Sequence, residues 1–197
     1  MPPTPPPHGS APSAWIDRFL PLIPAGGRVL DLAAGSGRHV RLLRDAGYQV
    51  LAADRDTSAL RAAFSGDPGC DIREMDLEDG GPWRLGGGFH GILVANYLWR
   101  PLLPSLAAAL APGGALLYET FMRGQERFGR PTDPNFLLRP GELLAAFMAP
   151  LAIIAFEQGE VATPRPAMVQ RLAAVKGAPG RLPSAENSTS IAPVGSV

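Results

Sequence analysis

A short glycine-rich stretch constrains the fold of this chain more than any other feature. Residues 29–40 read VLDLAAGSGRHV. The apolar start is typical of a buried strand, and the residues after Gly37 place apolar side chains at helical spacing. The turn between them has little side-chain bulk, so a ligand can lie against its backbone and meet the free N–H groups of the helix start. The stretch therefore predicts a strand–turn–helix unit with a ligand site at the turn.

The rest of the chain continues this alternation of apolar strands and helix-period segments. Seven strands are predicted, over residues 28–33, 49–53, 70–75, 91–95, 115–121, 151–157 and 168–176. Helices are predicted over residues 38–46, 58–64, 102–110 and 141–148. Strands and helices at this spacing form right-handed βαβ units in a parallel sheet. A short proline-containing loop joins the last two strands, so we expect these two to pair antiparallel.

Composition predicts one domain of ordinary size with proline-rich ends. The chain has 197 residues, of which 46% are hydrophobic and 22 are prolines. Residues 1–12 hold six of the prolines, and residues 177–197 are rich in Gly, Pro and Ser. We therefore predict a disordered leader, an ordered domain over residues 13–176, and a disordered tail. Neither a signal peptide nor a membrane-spanning run is recognisable, which favours a cytoplasmic protein.

Charge and metal-ligand content exclude several classes of protein. Lys and Arg number 18 and so do Asp and Glu, which excludes a polycationic nucleic-acid binder held by charge alone. Cys70 is the single cysteine, so an intramolecular disulfide and a CxxC redox pair are excluded. The three histidines are scattered without metal-ligand spacing, and no metal site is predicted.

The glycine-rich turn differs from the common nucleotide-binding loops. Gly35 and Gly37 fit the start of a G-x-G-x-x-G dinucleotide motif, but Val40 stands where the third glycine belongs. The turn contains no lysine, which excludes a P-loop. Asp31, on the strand before the turn, would repel a pyrophosphate and would suit a ligand with an ammonium group.

This turn resembles the first motif of the class I S-adenosylmethionine-dependent methyltransferases, roughly D-x-G-x-G-x-G. Here the motif reads Asp31-Leu32-Ala33-Ala34-Gly35-Ser36-Gly37, with Ala33 in place of the first glycine. The later segments LAADRD, REMDLEDG and LAPGGALLYETF also resemble that family, and YETFMRGQERFGRPTDPNFLLRPGELL is similar to small bacterial members of an uncharacterised, tellurite-resistance-like branch. The resemblance implies an α/β, Rossmann-like fold. Its sheet would have seven mostly parallel strands with a C-terminal antiparallel strand pair, and helices on both faces.

The resemblance also implies S-adenosyl-L-methionine as the cofactor. Asp54, at the end of the second strand, would accept the ribose hydroxyls. Asp76 would hold the adenine amino group, with the backbone of Leu77 on a ring nitrogen, and Asn96 would border the methyl group. The predicted cofactor residues are Asp31, Ala33, Gly35, Gly37, Asp54, Arg55, Asp76, Leu77 and Asn96.

Substrate contacts are expected beyond the cofactor, because ligands of this fold lie over the carboxyl ends of the strands. Tyr97 and Trp99 follow the fourth strand. Residues 122–138 are polar and too long for a simple connection. We interpret them as a lid over the acceptor pocket, in which Arg127 and Arg130 hold a carboxylate or phosphate. A solvated loop whose arginines touch nothing is the alternative interpretation.

Methyl transfer from a sulfonium is an in-line displacement in which a general base is optional. Tyr97 and Glu119 are the best-placed candidates for such a base. Asn96 is followed by Tyr-Leu, so the N-P-P loop of amino-methylating nucleic-acid enzymes is absent. A small-molecule acceptor is therefore favoured over RNA or protein.

Two other functions remain open at this point. One is a non-catalytic, methyltransferase-like protein that acts as a partner subunit. The other is an NAD-type oxidoreductase, since Asp54 would also suit the ribose of a dinucleotide. The sequence leaves open the acceptor, the atom that is methylated and the oligomeric state.

Overall fold

Seven strands form a single sheet in the computed structural model, which describes residues 11–178. The strands are β1 Arg28–Leu32, β2 Gln49–Asp54, β3 Cys70–Glu74, β4 Phe89–Ala95, β5 Leu110–Phe121, β6 Ala152–Val161 and β7 Ala167–Val175. Their order in the sheet is β3-β2-β1-β4-β5-β7-β6. The first five run parallel, and β7 runs antiparallel to both β5 and β6. The predicted α/β sheet and its antiparallel pair are confirmed.

Helices cover both faces of the sheet. They are α1 Ala14–Phe19, α2 Arg38–Asp45, α3 Ser58–Phe64, α4 Leu103–Ala109 and α5 Glu142–Phe147. Buried side chains of α1, α2 and α3 join one hydrophobic cluster, and those of α4 and α5 join the other. The longest of these helices has eight residues, and none in the described part of the chain is long and apolar enough to cross a membrane.

The predicted domain of residues 13–176 lies within the described residues. Most of the predicted leader, residues 1–12, and of the predicted tail, residues 177–197, lies outside them. The disorder predicted for these two segments stays a prediction.

The strand β5 begins at Leu110 rather than at the predicted residue 115. Its pairing with β4 shifts register, with Phe89 opposite Leu110 and Gly91 opposite Ala115. Gly114 lies in this shift, and a Cβ there would be 2.7 Å from the carbonyl oxygen of Phe89. Pro112, Gly113 and Gly114 therefore form an irregular start of the strand itself.

The start of α3 is capped by Asp56 rather than by Thr57, the residue at the N-cap position. Thr57 precedes the helix, but its hydroxyl donates to a carboxylate oxygen of Glu74 at 2.7 Å and accepts from Arg61 at 3.0 Å. Asp56 supplies the cap instead, because its Oδ1 accepts from the backbone N–H of Ser58 at 3.0 Å. Thr57 is fully buried against β3, where Glu74 is the nearer partner.

Residues 122–138 form a compact loop whose ends meet. The backbone N–H of Leu138 donates to Phe121 at 3.0 Å, and that of Arg123 donates to Leu138 at 2.9 Å. Two short 3-10 turns lie inside the loop, Gln125–Arg127 and Pro134–Phe136. The buried amide of Gln125 accepts from the N–H of Met168 on β7 at 2.9 Å. The segment is therefore an Ω-type loop fastened to the sheet.

Candidate functional site

The turn after β1 has a backbone that small residues favour. Ala33, Gly35 and Gly37 have φ of 57°, 56° and 82°. Gly37 also has no room for a side chain, since a Cβ there would lie 2.5 Å from Phe64 and 2.9 Å from Leu60. Ala33 adopts the left-handed conformation at the position where the resemblance expects glycine. The turn thus exposes backbone rather than side chains to the space above it.

Asp54 joins this turn to the end of β2. The N–H of Gly35 donates to Asp54 Oδ2 at 2.8 Å, and the N–H of Asp56 donates to Asp54 Oδ1 at 3.1 Å. Each carboxylate oxygen can accept a second hydrogen bond. The carboxylate of Asp54 is therefore held by two backbone groups and keeps capacity to accept hydroxyl groups of a ligand.

A cleft of about 310 Å³ opens at this edge of the sheet. Its lining residues are Ala33, Asp54, Arg55, Asp76, Leu77, Glu78, Tyr97 and Phe136. Five of the predicted cofactor residues and one predicted substrate residue are thus brought together. Sequence analysis missed Glu78 and Phe136. Glu78 follows Asp76 and Leu77 directly, so the segment itself was a signal for it, whereas Phe136 comes from the distant loop of residues 122–138.

The other four predicted cofactor residues, Asp31, Gly35, Gly37 and Asn96, are not among the residues that line the cleft. Asp31 lies on β1 and is 1% exposed, while Gly35 and Gly37 lie in the turn. Asn96 follows β4 with φ of 56°, and its N–H donates to the backbone of Glu119 at 2.9 Å. Trp99, a predicted substrate contact, precedes the 3-10 turn Arg100–Leu102 and is not among the residues lining the cleft.

Asp31 is a buried acid with an incomplete set of partners. Among residues 11–178 no group donates a hydrogen bond to its Oδ2. Burial raises the pKa of Asp31 to about 7; Arg38 lowers it, the nearby Asp54 raises it, and a hydrogen bond from the Val40 backbone lowers it. Its carboxyl group is therefore ready to ionise when a positively charged ligand approaches.

Tyr97 keeps its proton at neutral pH. Burial, followed by the neighbouring carboxylate of Glu78, raises its pKa well above the ordinary range. Its hydroxyl is buried and has no hydrogen-bond partner within the described part of the chain. Tyr118 donates its own hydroxyl to the backbone oxygen of Tyr97 at 3.0 Å and so supports this residue. Tyr97 is suited to donate a hydrogen bond and is unsuited to act as a base.

Glu119 is engaged in an ion pair away from the cleft. It lies opposite Arg171 on β7, which in turn lies opposite Glu157 on β6. Arg171 Nε is 2.5 Å from Glu119 Oε2 and its guanidinium is 3.7 Å from Glu157. Glu119 is 8% exposed and does not line the cleft. The structure gives this carboxylate a partner within the sheet and so does not present it as a free base.

The two arginines predicted to anchor a substrate point elsewhere. Arg127 is exposed, lies 4.0 Å from Glu160 and donates to the backbone of Gly124 at 3.2 Å. Arg130 is exposed, and its backbone oxygen accepts from Gln125. Neither residue lines the cleft: both side chains are exposed, and Arg127 lies beside Glu160 on β6.

A second and larger cavity, of about 550 Å³, lies between α4 and α5. Its walls are mostly apolar, and none of the predicted site residues contributes to it. Over residues 11–178 there is also no cluster of three His, Cys, Asp or Glu side chains that could hold a metal ion. The cleft at the strand ends is thus where the predicted residues converge.

No protein-family model matches this chain. Over 116 residues it is 34% identical to the ribosomal protein L11 methyltransferase of Chromohalobacter salexigens, which covers 57% of this chain and 38% of that protein. The protein of the same name from Bordetella parapertussis is 32% identical over 116 residues, covering 57% of this chain and 36% of that protein. The chain thus matches less than two fifths of the length of these relatives.

Solved structures share the fold over most of the chain. An S-adenosylmethionine-dependent methyltransferase from Mesorhizobium loti superimposes with a TM-score of 0.63 and 21% identity, covering 83% of this chain and 98% of that one. TehB from Haemophilus influenzae superimposes with a TM-score of 0.64 and 17% identity, covering 79% of this chain and 59% of that one. The glycopeptide N-methyltransferase MtfA, solved with S-adenosyl-L-homocysteine, superimposes with a TM-score of 0.58 and 20% identity, covering 80% of this chain and 86% of that one. The chain therefore has the fold of the class I S-adenosylmethionine-dependent methyltransferases.

Proposed function

We propose that this chain is an S-adenosylmethionine-dependent methyltransferase that transfers a methyl group to a small-molecule acceptor. The observation that supports this most is the contact between the Gly35 N–H and the Asp54 carboxylate, with Asp76 and Leu77 in the same cleft. This arrangement offers acceptors to ribose hydroxyls at one end and a carboxylate to an amino group at the other.

The charge of the cleft favours this cofactor over a dinucleotide. Carboxylates of Asp54, Asp76 and Glu78 outnumber the guanidinium of Arg55 among the lining residues, and the buried Asp31 lies beside them. A sulfonium and an ammonium group are attracted to such surroundings, whereas a pyrophosphate is repelled. The unpartnered Oδ2 of Asp31 is a fitting acceptor for the ammonium group.

The residues of this chain would bind and orient the cofactor and the acceptor rather than react with them. The cofactor supplies an electrophilic methyl group on its sulfonium. Asp54, Asp76 and the backbone of Leu77 hold the nucleoside, while Tyr97, protonated at neutral pH, donates a hydrogen bond that orients the acceptor. Where the acceptor must lose a proton, the exposed carboxylate of Glu78 stands closer to the cleft than the ion-paired Glu119.

A protein acceptor is the second candidate, and the names of the relatives favour it. The curated relatives are ribosomal protein L11 methyltransferases. Incubation with methyl-labelled S-adenosylmethionine distinguishes the two, with purified L11 in one arm and a protein-free extract of small molecules in the other. We expect the labelled methyl group to appear in the small-molecule arm. Label in L11 alone would contradict a small-molecule acceptor and would support a protein acceptor.

The cofactor is tested first, by thermal unfolding with S-adenosylhomocysteine, S-adenosylmethionine and NAD. A ligand at 100 times its Kd stabilises the folded state by roughly 2.7 kcal/mol. For a chain of this size, each kcal/mol of stabilisation raises the melting temperature by about 2–4 °C. We expect such a rise with the two sulfur ligands and no change in melting temperature with NAD. Asp54→Asn should abolish the shift, because it removes the charge that faces the ribose but keeps an oxygen for the Gly35 N–H.

Asp71→Asn is the matched control. Asp71 is an exposed acid on β3 that pairs with Arg73 at 3.2 Å, away from the cleft. Its loss should leave the ligand-induced shift unchanged. A shift with NAD alone would instead support an oxidoreductase, and no shift with any ligand would support a non-catalytic protein.

A further inference from the structure

An aromatic side chain from a distant part of the chain lies in the cleft. Phe136 is 41% exposed, and with Met148 it is one of two large hydrophobic side chains that are exposed among the described residues. It lines the cleft together with Tyr97 and Asp76. An exposed aromatic ring at the wall of a ligand cleft is a surface that a bound ligand can cover.

The short turn that presents Phe136 is held by one arginine. Arg100, just after β4, donates from Nη1 to the backbone oxygen of Asn135 at 2.6 Å and from Nη2 to that of Leu137 at 2.9 Å. These two carbonyl groups belong to the residues on either side of Phe136. The Asp133 carboxylate caps the same turn by accepting from the N–H of Asn135 at 2.9 Å. The backbone around the ring is thus bound on both sides.

The same guanidinium is itself fixed by α5. Arg100 Nε donates to Glu142 Oε1 at 2.6 Å, and Nη2 donates to Glu142 Oε2 at 3.1 Å. Both side chains are partly buried, with 33% and 20% exposure. Glu142 also accepts from the N–H of Arg139 at 2.7 Å, so the carboxylate is held in place as well. The planar fork of an arginine is needed to reach two carbonyls and a carboxylate at once.

We propose that Phe136 contacts the nucleoside of the bound cofactor, and that Arg100, fixed by Glu142, is a positioning residue that holds Phe136 against it. This inference rests on the proposed function, because it takes the cleft to be the cofactor site. The ring gives the nucleoside an apolar wall, and the polar groups of Asp54 and Asp76 fix its orientation. The loop of residues 122–138 then serves the cofactor through Phe136, and not an anionic acceptor through Arg127 and Arg130.

Calorimetric binding of S-adenosylhomocysteine to the full chain tests the contact. Phe136→Ala should weaken binding about 5- to 10-fold, as expected for loss of one well-packed aromatic contact. Phe136→Tyr keeps the ring and should bind within about twofold of the wild type. Met148→Ala is the matched control, since Met148 is 63% exposed and lies outside the cleft, and it should leave affinity unchanged.

A double-mutant cycle tests the positioning role of Arg100. Arg100→Gln alone should weaken binding by about the same factor as Phe136→Ala, and Arg100→Lys should not restore it, because an ammonium lacks the fork geometry. In the Phe136→Ala background, Arg100→Gln should cost no further affinity but should still lower the melting temperature. A residue that merely stabilised the fold would lower affinity independently of Phe136.

Each outcome separates this inference from the function on which it rests. If the wild-type chain does not bind S-adenosylhomocysteine, both the inference about Phe136 and the proposed function are wrong. If it binds and Phe136→Ala binds as tightly, the inference falls and the proposed function stands. If Phe136→Ala and Arg100→Gln each lower the affinity independently of the other, the positioning role of Arg100 is wrong. Should Arg100→Gln not fold, Arg100→Lys takes its place in the cycle with the same expected coupling.

Discussion

Burial governs the charge of two side chains on either side of the glycine-rich turn, Asp31 and His39. The carboxyl group of Asp31 lies within the sheet, where the charged form loses its hydration and gains few partners. Burial also disfavours the charged form of His39 in α2, but for a base this lowers the pKa instead of raising it. Burial lowers the pKa of His39 to about 3, so its neutral ring accepts a hydrogen bond from the N–H of Ser13 at 3.1 Å.

Asp31→Asn should make the folded chain more stable than the wild type at pH 8, with the difference shrinking toward pH 4. The folded-state pKa of Asp31 is raised from 3.8 to about 7, so protonation favours folding and the wild type loses stability as the pH rises between those values. The slope is at most about 1.4 kcal/mol per pH unit. Urea unfolding of both proteins at several pH values measures this, and parallel profiles would contradict it.

Two glycines with left-handed backbone flank the helix α2. Gly37 immediately precedes α2 and Gly47 follows it, with similar φ of 82° and 84°. Around Gly37 the rings and methyl groups of α3 approach closely, whereas nothing lies within 4 Å of a Cβ at Gly47. The same backbone conformation therefore has different surroundings at the two ends of one helix.

Gly37→Ala should destabilise the chain more than Gly47→Ala does. Both substitutions place a side chain in the left-handed region, which costs roughly 1–2 kcal/mol. Gly37→Ala adds overpacking against Phe64 and Leu60, typically a further ~1–3 kcal/mol. Urea denaturation of the two variants gives the comparison. Equal losses of unfolding free energy would show that α3 moves away at no cost.

The whole molecule is organised around the middle of its sheet. The strands β1, β4 and β5 are paired on both sides, and nearly all of their side chains are buried. The strand β3 forms one edge and its side chains are mostly half-buried or exposed. Apart from Phe136, the residues that line the cleft end or follow β1, β2, β3 and β4, so the cleft extends from the middle of the sheet to its β3 edge.

Native-state hydrogen exchange should reflect this arrangement. We expect the amides of β4 to exchange only with global unfolding, because their hydrogen bonds are covered on both faces. Amides of β3 should exchange by local opening at a lower free energy. The control is β2, which is the sheet neighbour of β3 but is paired on both sides and should resemble β4. Equal protection in β3 and β4 would contradict this gradient.

Local patterns in the sequence were sufficient for much of the fold. The strand β1, the turn and the helix α2 begin where the pattern predicts, because apolar periodicity and glycine act within a few residues. The fold implied by the resemblance to class I methyltransferases is confirmed. Asp54 and Asp76 meet in one cleft because Asp54 ends β2 and Asp76 closely follows the neighbouring parallel strand β3. The six-residue helix α1 was not predicted.

Tertiary structure decided which of the remaining polar side chains reach the cleft. Glu119 pairs with Arg171, 52 positions along the chain, and Arg100 pairs with Glu142, 42 positions along. Nothing in the segments around these residues indicates their partners. A charged side chain that is partly buried must find an opposite charge or hydrogen-bond acceptors, and only the packing of strands and helices determines which one is near. The position of Asp54 beside the glycine-rich turn could be predicted from the sequence, whereas the place of Phe136 at the cleft depends on how the loop of residues 122–138 folds.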